Sequence, residues 1–267
     1  MSDSLATALA TLKRRYGPEA LRRGSLPETA SVWATGVPVI DDVLTPGGLP
    51  QGRVTLLAAA HPRGPSGRLS LLQSLAAIAS TTRDVGYVDL AGTLDPGFLA
   101  DLGADLDACL VLEPGGRWGR GLVMARALVT SGLPWLGIAL GAGPPQVGWE
   151  HALAALAEAV ARHGTVCVVA ASAPPARPLA YASSLTLVCE AAGWQRAHGD
   201  VTGLRLRVTT SKSKVHAPGA QATLLLRYPR TYAAGEVIGL PAVVTPRIAA
   251  AVPGGVDERL AAAASSG

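Results

Sequence analysis

Apolar residues recur along this chain in two alternating rhythms. From Gly52 onward, short runs that are apolar at nearly every position (RVTLLAAA, VGYVDL, ACLVLEP, LPWLGIAL and TVCVVAA) are separated by stretches with helical spacing: SGRLSLLQSLAAIAS, DPGFLADLG, RWGRGLVMARALVTS and HALAALAEAVARHG. Short runs that are apolar on both faces predict strands of a parallel sheet covered by helices. The rhythm then changes to SSLTLVCEAAG, GLRLRVTTSKSK and ATLLLRYPR, whose short connections predict antiparallel strands. The expected fold class is therefore α/β, with a mostly parallel central sheet flanked by helices and antiparallel strands on its C-terminal side. Ahead of this core, Leu5, Leu9, Leu12 and Tyr16 fall at spacings that predict one stripe of an amphipathic helix. Lys13, Arg14 and Arg15 lie near its C-terminal end, where cations suit the helix dipole, and Gly17 and Pro18 stop it. GSLPETASVWATGVP reads as a linker, and the Ala, Pro and Gly-rich stretch from Pro241 as a tail with one short helix around Asp257 to Ala264. Three parts result: a helical arm over 1–24, a core over 25–240 and a tail over 241–267.

Composition narrows the class. A chain of 267 residues that is 49% hydrophobic and 16% charged is not disordered, and it has the length to bury one sizeable core. No apolar run reaches the roughly 18 residues that a bilayer span needs. The first residues place charges after apolar positions, the reverse of a secretory signal, so a soluble cytoplasmic protein is expected. Cys109, Cys167 and Cys189 lack metal-ligand spacing, and the last two sit in strand-like runs where buried core thiols are expected. A net charge of +4 is too mild to establish nucleic-acid binding. Only three of the 23 basic residues are lysine, and two of these, Lys212 and Lys214, lie together in TTSKSKV.

The stretch HPRGPSGRLSLL has the outline of a phosphate-binding loop between a strand and a helix: Pro62, Gly64, Gly67, Arg68, Leu69 and Ser70. A working loop of the form G-x-x-x-x-G-K-[ST] needs glycines so that backbone N–H groups can wrap phosphate, a lysine for the β and γ phosphates, and a hydroxyl for Mg²⁺. Here Pro62 stands in place of the first glycine, Arg68 in place of lysine and Leu69 in place of the hydroxyl. Arg68 retains the charge to meet an anion at a helix N-terminus, but its planar fork does not reproduce a lysine point charge, and leucine cannot hold a metal.

Over nearly its whole length the chain resembles the RecA recombinase family. The resemblance is carried by LKRRYGPEALRRG, ATGVPVIDDVLTPGGLPQGRV, YVDLAGTLDP with LGADLDACLVLEP, ARALVTSG, YASSLTL and LRVTTSKSKVHAPGAQATLLLRYP, in the family's order and spacing. It implies a RecA-like core and lets each catalytic position be inspected. Where the family carries the glutamate that activates the attacking water, this chain has Ala91. Where a strand-end aspartate assists Mg²⁺, it has Ala139 or a neighbour, with no carboxylate between Leu133 and Gln146. Phosphoryl transfer depends on positioning and charge neutralisation, so these losses together imply no hydrolysis, and no enzyme, cofactor or metal is expected. Asp95 and Phe98, at the family's adenine-holding positions, survive in kind as candidate residual adenine contacts. The two connections corresponding to the family's DNA-contacting loops, GAGPPQVGWE and APPARPLA, are short, so DNA contact is expected to be weak or indirect.

Two features that serve subunit contact in the family are kept. The helix carrying Leu5, Leu9, Leu12 and Tyr16 matches the arm that docks on a neighbour, and Lys212 and Lys214 match lysines that reach a neighbour's ATP. Both have a plainer reading, a helix packed on its own core and a solvated strand end. Within the superfamily the chain resembles the ATPase-deficient branch of mutasome accessory proteins, the ImuA type. That resemblance implies an adaptor in the DNA-damage response, with partners among the polymerase subunits of a translesion mutasome and the RecA filament. A divergent ATP-dependent recombinase using Arg68 and Ser70, and a SulA-type division inhibitor, stay open as alternatives.

Overall fold

The computed structural model describes residues 7, 11, 14, 15, 31–141 and 147–228. By contacts the chain divides into two units, Met1–Ser31 and Val32–Gly267. In the first, Thr7, Thr11, Arg14 and Arg15 are helical, and the Thr11 hydroxyl donates to the Thr7 carbonyl. Leu5, Leu9, Leu12, Tyr16 and the tail over 241–267 lie outside the described residues.

The second unit opens with β1 (Val32–Trp33), paired antiparallel with β2 (Leu49–Pro50). This corrects the linker reading of GSLPETASVWATGVP at its C-terminal half, because Trp33 is buried edge-on against Trp135. The Asp41 carboxylate accepts from the backbone N–H groups of Thr35 and Gly36 and from the Thr35 hydroxyl, fixing the turn that follows. Gly48 has φ +117°, and a Cβ there would fall 2.1 Å from the Trp33 carbonyl oxygen, so only glycine lets the two short strands meet.

Strands and helices then alternate: β3 (Arg53–Ala59), α1 (Arg68–Ser80), β4 (Val85–Asp89), α2 (Pro96–Asp101), β5 (Cys109–Leu112), α3 (Trp118–Thr130), β6 (Trp135–Ala139), α4 (Trp149–His163), β7 (Val166–Ala171) and α5 (Arg177–Ala182). The long strands β8 (Ser183–Ala197), β9 (Asp200–Ser213) and β10 (Gln221–Arg227) close the unit. One eight-stranded sheet runs β10-β9-β8-β3-β7-β6-β4-β5, parallel from β8 to β5 and antiparallel from β8 to β10. This is the expected class, a mostly parallel sheet flanked by helices with antiparallel strands at the C-terminal side.

Strand alternation divides the core between the two faces. Leu57, Tyr87, Trp135, Val168, Leu187, Leu206 and Leu224 point to the α1 side, where Leu71, Leu72 and Leu75 meet them. Val54, Leu56, Val88, Ile138 and Val169 point the other way, onto Leu122, Ala125 and Val129 of α3 and Leu153, Leu156 and Val160 of α4. Each fully buried aliphatic side chain contributes about 1.5–3 kcal/mol relative to exposure. Gly164 at φ +70° ends α4, with Arg162 and His163 in its last turn. α3 and α4 cover only the parallel half of the sheet, and the outward residues Arg205 and Arg207 of β9 remain exposed.

Candidate functional site

The loop between β3 and α1 gives the site its form. α1 starts at Arg68 from Gly67, which has φ +67°, and a Cβ at Gly67 would fall 2.7 Å from Leu204 Cδ2 of β9; both features call for glycine. Arg68 turns inward. Its guanidinium donates to the Ser66 hydroxyl at 2.8 Å and to the Ser172 hydroxyl at 3.2 Å, pinning the loop to the segment after β7. Burial lowers its pKa, and Nε is enclosed without a hydrogen-bond partner. Two of the donors with which Arg68 would meet an anion are thereby engaged within the chain.

Leu69, Ala91 and Ala139, the positions that the family resemblance singles out, share one surrounding. Ala139 is buried in the apolar cluster on the α1 side of the sheet, and Leu69 and Ala91 pack against that same cluster. At all three positions the side chain is hydrocarbon, within the core or packed against it. Beside them, Asp89 at the end of β4 is buried and accepts from the backbone N–H groups of Ala91, Thr93 and Leu94 at 3.0, 2.7 and 2.7 Å. Its carboxylate holds the turn after β4 and is consumed in doing so. Among the described residues no three His, Cys, Asp or Glu side chains gather as a metal site.

Asp95 and Phe98 fall together on α2. Asp95 caps the helix, accepting from the Gly97 N–H at 2.8 Å. Phe98 stacks edge-on with Tyr228 at 6.0 Å between ring centroids, and Trp194 meets Tyr228 from β8 at 6.4 Å. Burial pushes the Tyr228 phenol up, partly offset by a side-chain hydrogen bond with Ser70. Phe98, Tyr228 and Ser70 therefore meet near the start of α1, with Asp95 three residues before Phe98.

Lys212 and Lys214 sit apart from this group. The Lys212 ammonium donates to the Ala180 and Ser183 carbonyls at 2.6 and 2.7 Å, so it caps the C-terminal end of α5. Lys214 lies 5.7 Å from the ring centroid of the exposed Tyr181. Cys167 and Cys189 are fully buried and unpaired, as the strand-like runs imply.

Sequence reasoning missed Ser172 and Tyr228, and Asp89 as a turn anchor. Asp89 carried a local signal, an acid closing an apolar strand. Ser172 carried none, since it meets Arg68 from 104 positions away.

Taken together, the layered, mostly parallel sheet and its strand–loop–helix at Arg68 define an α/β core of RecA-like architecture. A family model for the RecA N-terminal domain matches residues 3–136. The chain belongs to that family. It is 37% identical over 134 residues to "Protein RecA" of Clavibacter michiganensis subsp. michiganensis, a match taking in 48% of this chain and 35% of that protein. To "Protein RecA" of Leifsonia xyli subsp. xyli it is 36% identical over 134 residues, 48% of this chain and 36% of that protein. The chain thus spans about a third of the length of these curated relatives. A longer match, 23% identical over 274 residues, joins 90% of this chain to 75% of "Protein RecA" of Lactobacillus acidophilus.

Proposed function

We propose that this chain is a non-catalytic RecA-like adaptor of the DNA-damage response, supporting error-prone translesion synthesis through contacts with a Y-family-like polymerase subunit and with RecA. The observation that supports the loss of catalysis is the joint fate of Arg68, Leu69, Ala91 and Ala139: one cation bound within the chain and three apolar residues at the core. Mg²⁺-assisted phosphoryl transfer needs oxygen ligands and a placed water, and hydrocarbon supplies neither. A fold that keeps its core packed while these positions are apolar is suited to binding. The proposed place of action is the cytoplasm; no helix among the described residues is long and apolar enough to cross a membrane.

Phosphate release from the purified full chain, with and without single-stranded DNA, tests this reading. The expected result is no release above the protein-free rate, together with co-purification of a translesion polymerase subunit or RecA from cells treated with a DNA-damaging agent. DNA-stimulated hydrolysis by wild type that is lost in Arg68→Ala would overturn it in favour of a divergent ATPase.

A further inference from the structure

Where the helical layer ends, the second unit carries a cleft of about 460 Å³ at the C-terminal ends of β3 and β7 and along β8. Its volume lies within the roughly 300–1,000 Å³ of sites that take a compact ligand. Leu56, Ala58 and Val188 contribute to its lining from the strands, and Pro62, Pro174 and Pro175 from the two connecting loops. None of these offers a hydrogen bond from its side chain. The lining side chains that can are already engaged: the Thr186 hydroxyl with the Ser183 hydroxyl, the Ser211 hydroxyl with the Thr186 carbonyl, and the Lys212 ammonium with Ala180 and Ser183. With these groups largely engaged and the rest of the lining apolar, a polar group placed here recovers few hydrogen bonds for the water it gives up, whereas an apolar group gains transfer free energy.

The surrounding charge has the opposite character. The segments that build the cleft, residues 59–68, 172–190 and 207–214, carry Arg63, Arg68, Arg177, Arg207, Lys212 and Lys214 against a single carboxylate, Glu190. That carboxylate is itself bridged by Arg207 at 3.0 Å. Arg177, Lys214 and Arg63 are exposed. The lining residues themselves carry no aromatic face on which a nucleobase could stack, the exposed Tyr181 beside Lys214 lying outside the lining, so the cleft itself suits an aliphatic or aromatic side chain better than a base.

We propose that this cleft is a docking site for an acidic peptide segment of a partner protein, which seats one bulky apolar side chain between the prolines and sets its carboxylates against Arg63, Arg177 and Lys214. The proposal deepens the adaptor reading and rests on it for the partner being a protein. Apolar seating supplies affinity, and the cationic border supplies orientation and rate of encounter.

The test uses fluorescein-labelled peptides, each with one Leu, Phe or Trp between aspartates and glutamates, titrated against the full chain by anisotropy. Saturable binding is expected. Replacing the apolar anchor by Ala, or the acids by Asn and Gln, should each weaken it by about tenfold or more. Ala60→Phe, which fills the cleft from its wall, and the surface pair Arg177→Glu with Lys214→Glu should weaken it to the same degree. Arg120→Glu with Arg126→Glu, an equal change of net charge on α3, should leave it unchanged. Circular dichroism melts of each variant separate lost docking from lost folding. Indifference to the anchor, equal weakening by the α3 pair, or saturable binding of a labelled oligonucleotide but of no peptide would overturn the proposal. Phosphate release measured on the same preparations keeps the two ideas apart: hydrolysis with peptide binding intact sinks the adaptor reading alone, and absent hydrolysis without peptide binding sinks the cleft alone.

Discussion

At the scale of single residues, Arg68 shows how a retained charge can change its work. On the proposed reading it stands in place of a phosphate-binding lysine, and two of its donors are spent on Ser66 and Ser172. Arg68→Lys is therefore expected to restore no ATP hydrolysis, because Leu69, Ala91 and Ala139 still leave water and Mg²⁺ unplaced; phosphate release measures it. Asp89 does the reverse, using its full charge on three backbone N–H groups of one turn. Asp89→Ala leaves those donors under a buried side chain and should cost about 3 kcal/mol or more in denaturant unfolding. The buried thiols report on pH. Burial pushes both Cys167 and Cys189 up to about 12 from an ordinary value near 9, so the folded state favours their protonated form. Their contribution is complete below about pH 9 and is lost as pH rises towards 12, so thermal stability should fall across that window, and Cys167→Ala with Cys189→Ala should flatten the fall.

Elements depend on contacts that join distant segments. Gly67 starts α1 and also lies under Leu204 and Leu206 of β9, whereas Gly64 in the same loop faces open space. Gly67→Ala should cost about 2–4 kcal/mol from left-handed strain and overpacking, and Gly64→Ala only about 1–2 kcal/mol from strain; chemical denaturation of the two variants compares them. Lys212 and Lys214 separate in the same way. Lys212 satisfies two carbonyls at the end of α5, so Lys212→Ala should speed amide hydrogen exchange across 177–183, while Lys214→Ala leaves it near the wild-type rate. α5 itself was not legible in RPLAYA, a six-residue segment too short to show helical periodicity. β1 and β2 were missed for a related reason: two-residue strands carry no alternation, and their pairing is made by Trp33 reaching Trp135.

At the scale of the whole molecule, the second unit packs one side of its sheet along its length and the other side over the parallel half. Leu56 and Leu57 of β3 point into the two clusters from one strand, so the two sides of the sheet are joined through its backbone and the second unit is expected to unfold in one cooperative calorimetric transition rather than two.

The sequence by itself determined the strands and helices of the parallel half, the antiparallel close and the residue types at Arg68, Leu69, Ala91 and Ala139, because periodicity and side-chain chemistry are local properties. The resemblance carried by its ordered stretches pointed to the RecA family in the same way. What those side chains touch was decided only by the tertiary structure. Whether Arg68 faces a ligand or a serine depends on where Ser172 arrives from β7, and whether Lys212 is free depends on where α5 ends. The adjoining ends of β4 and β6, which bring Ala91 and Ala139 against one apolar cluster, and the cleft left where α3 and α4 stop short of β8, arise from the order of strands in the sheet. Strand order is set by packing among segments far apart in the chain, and no local pattern of residues encodes it.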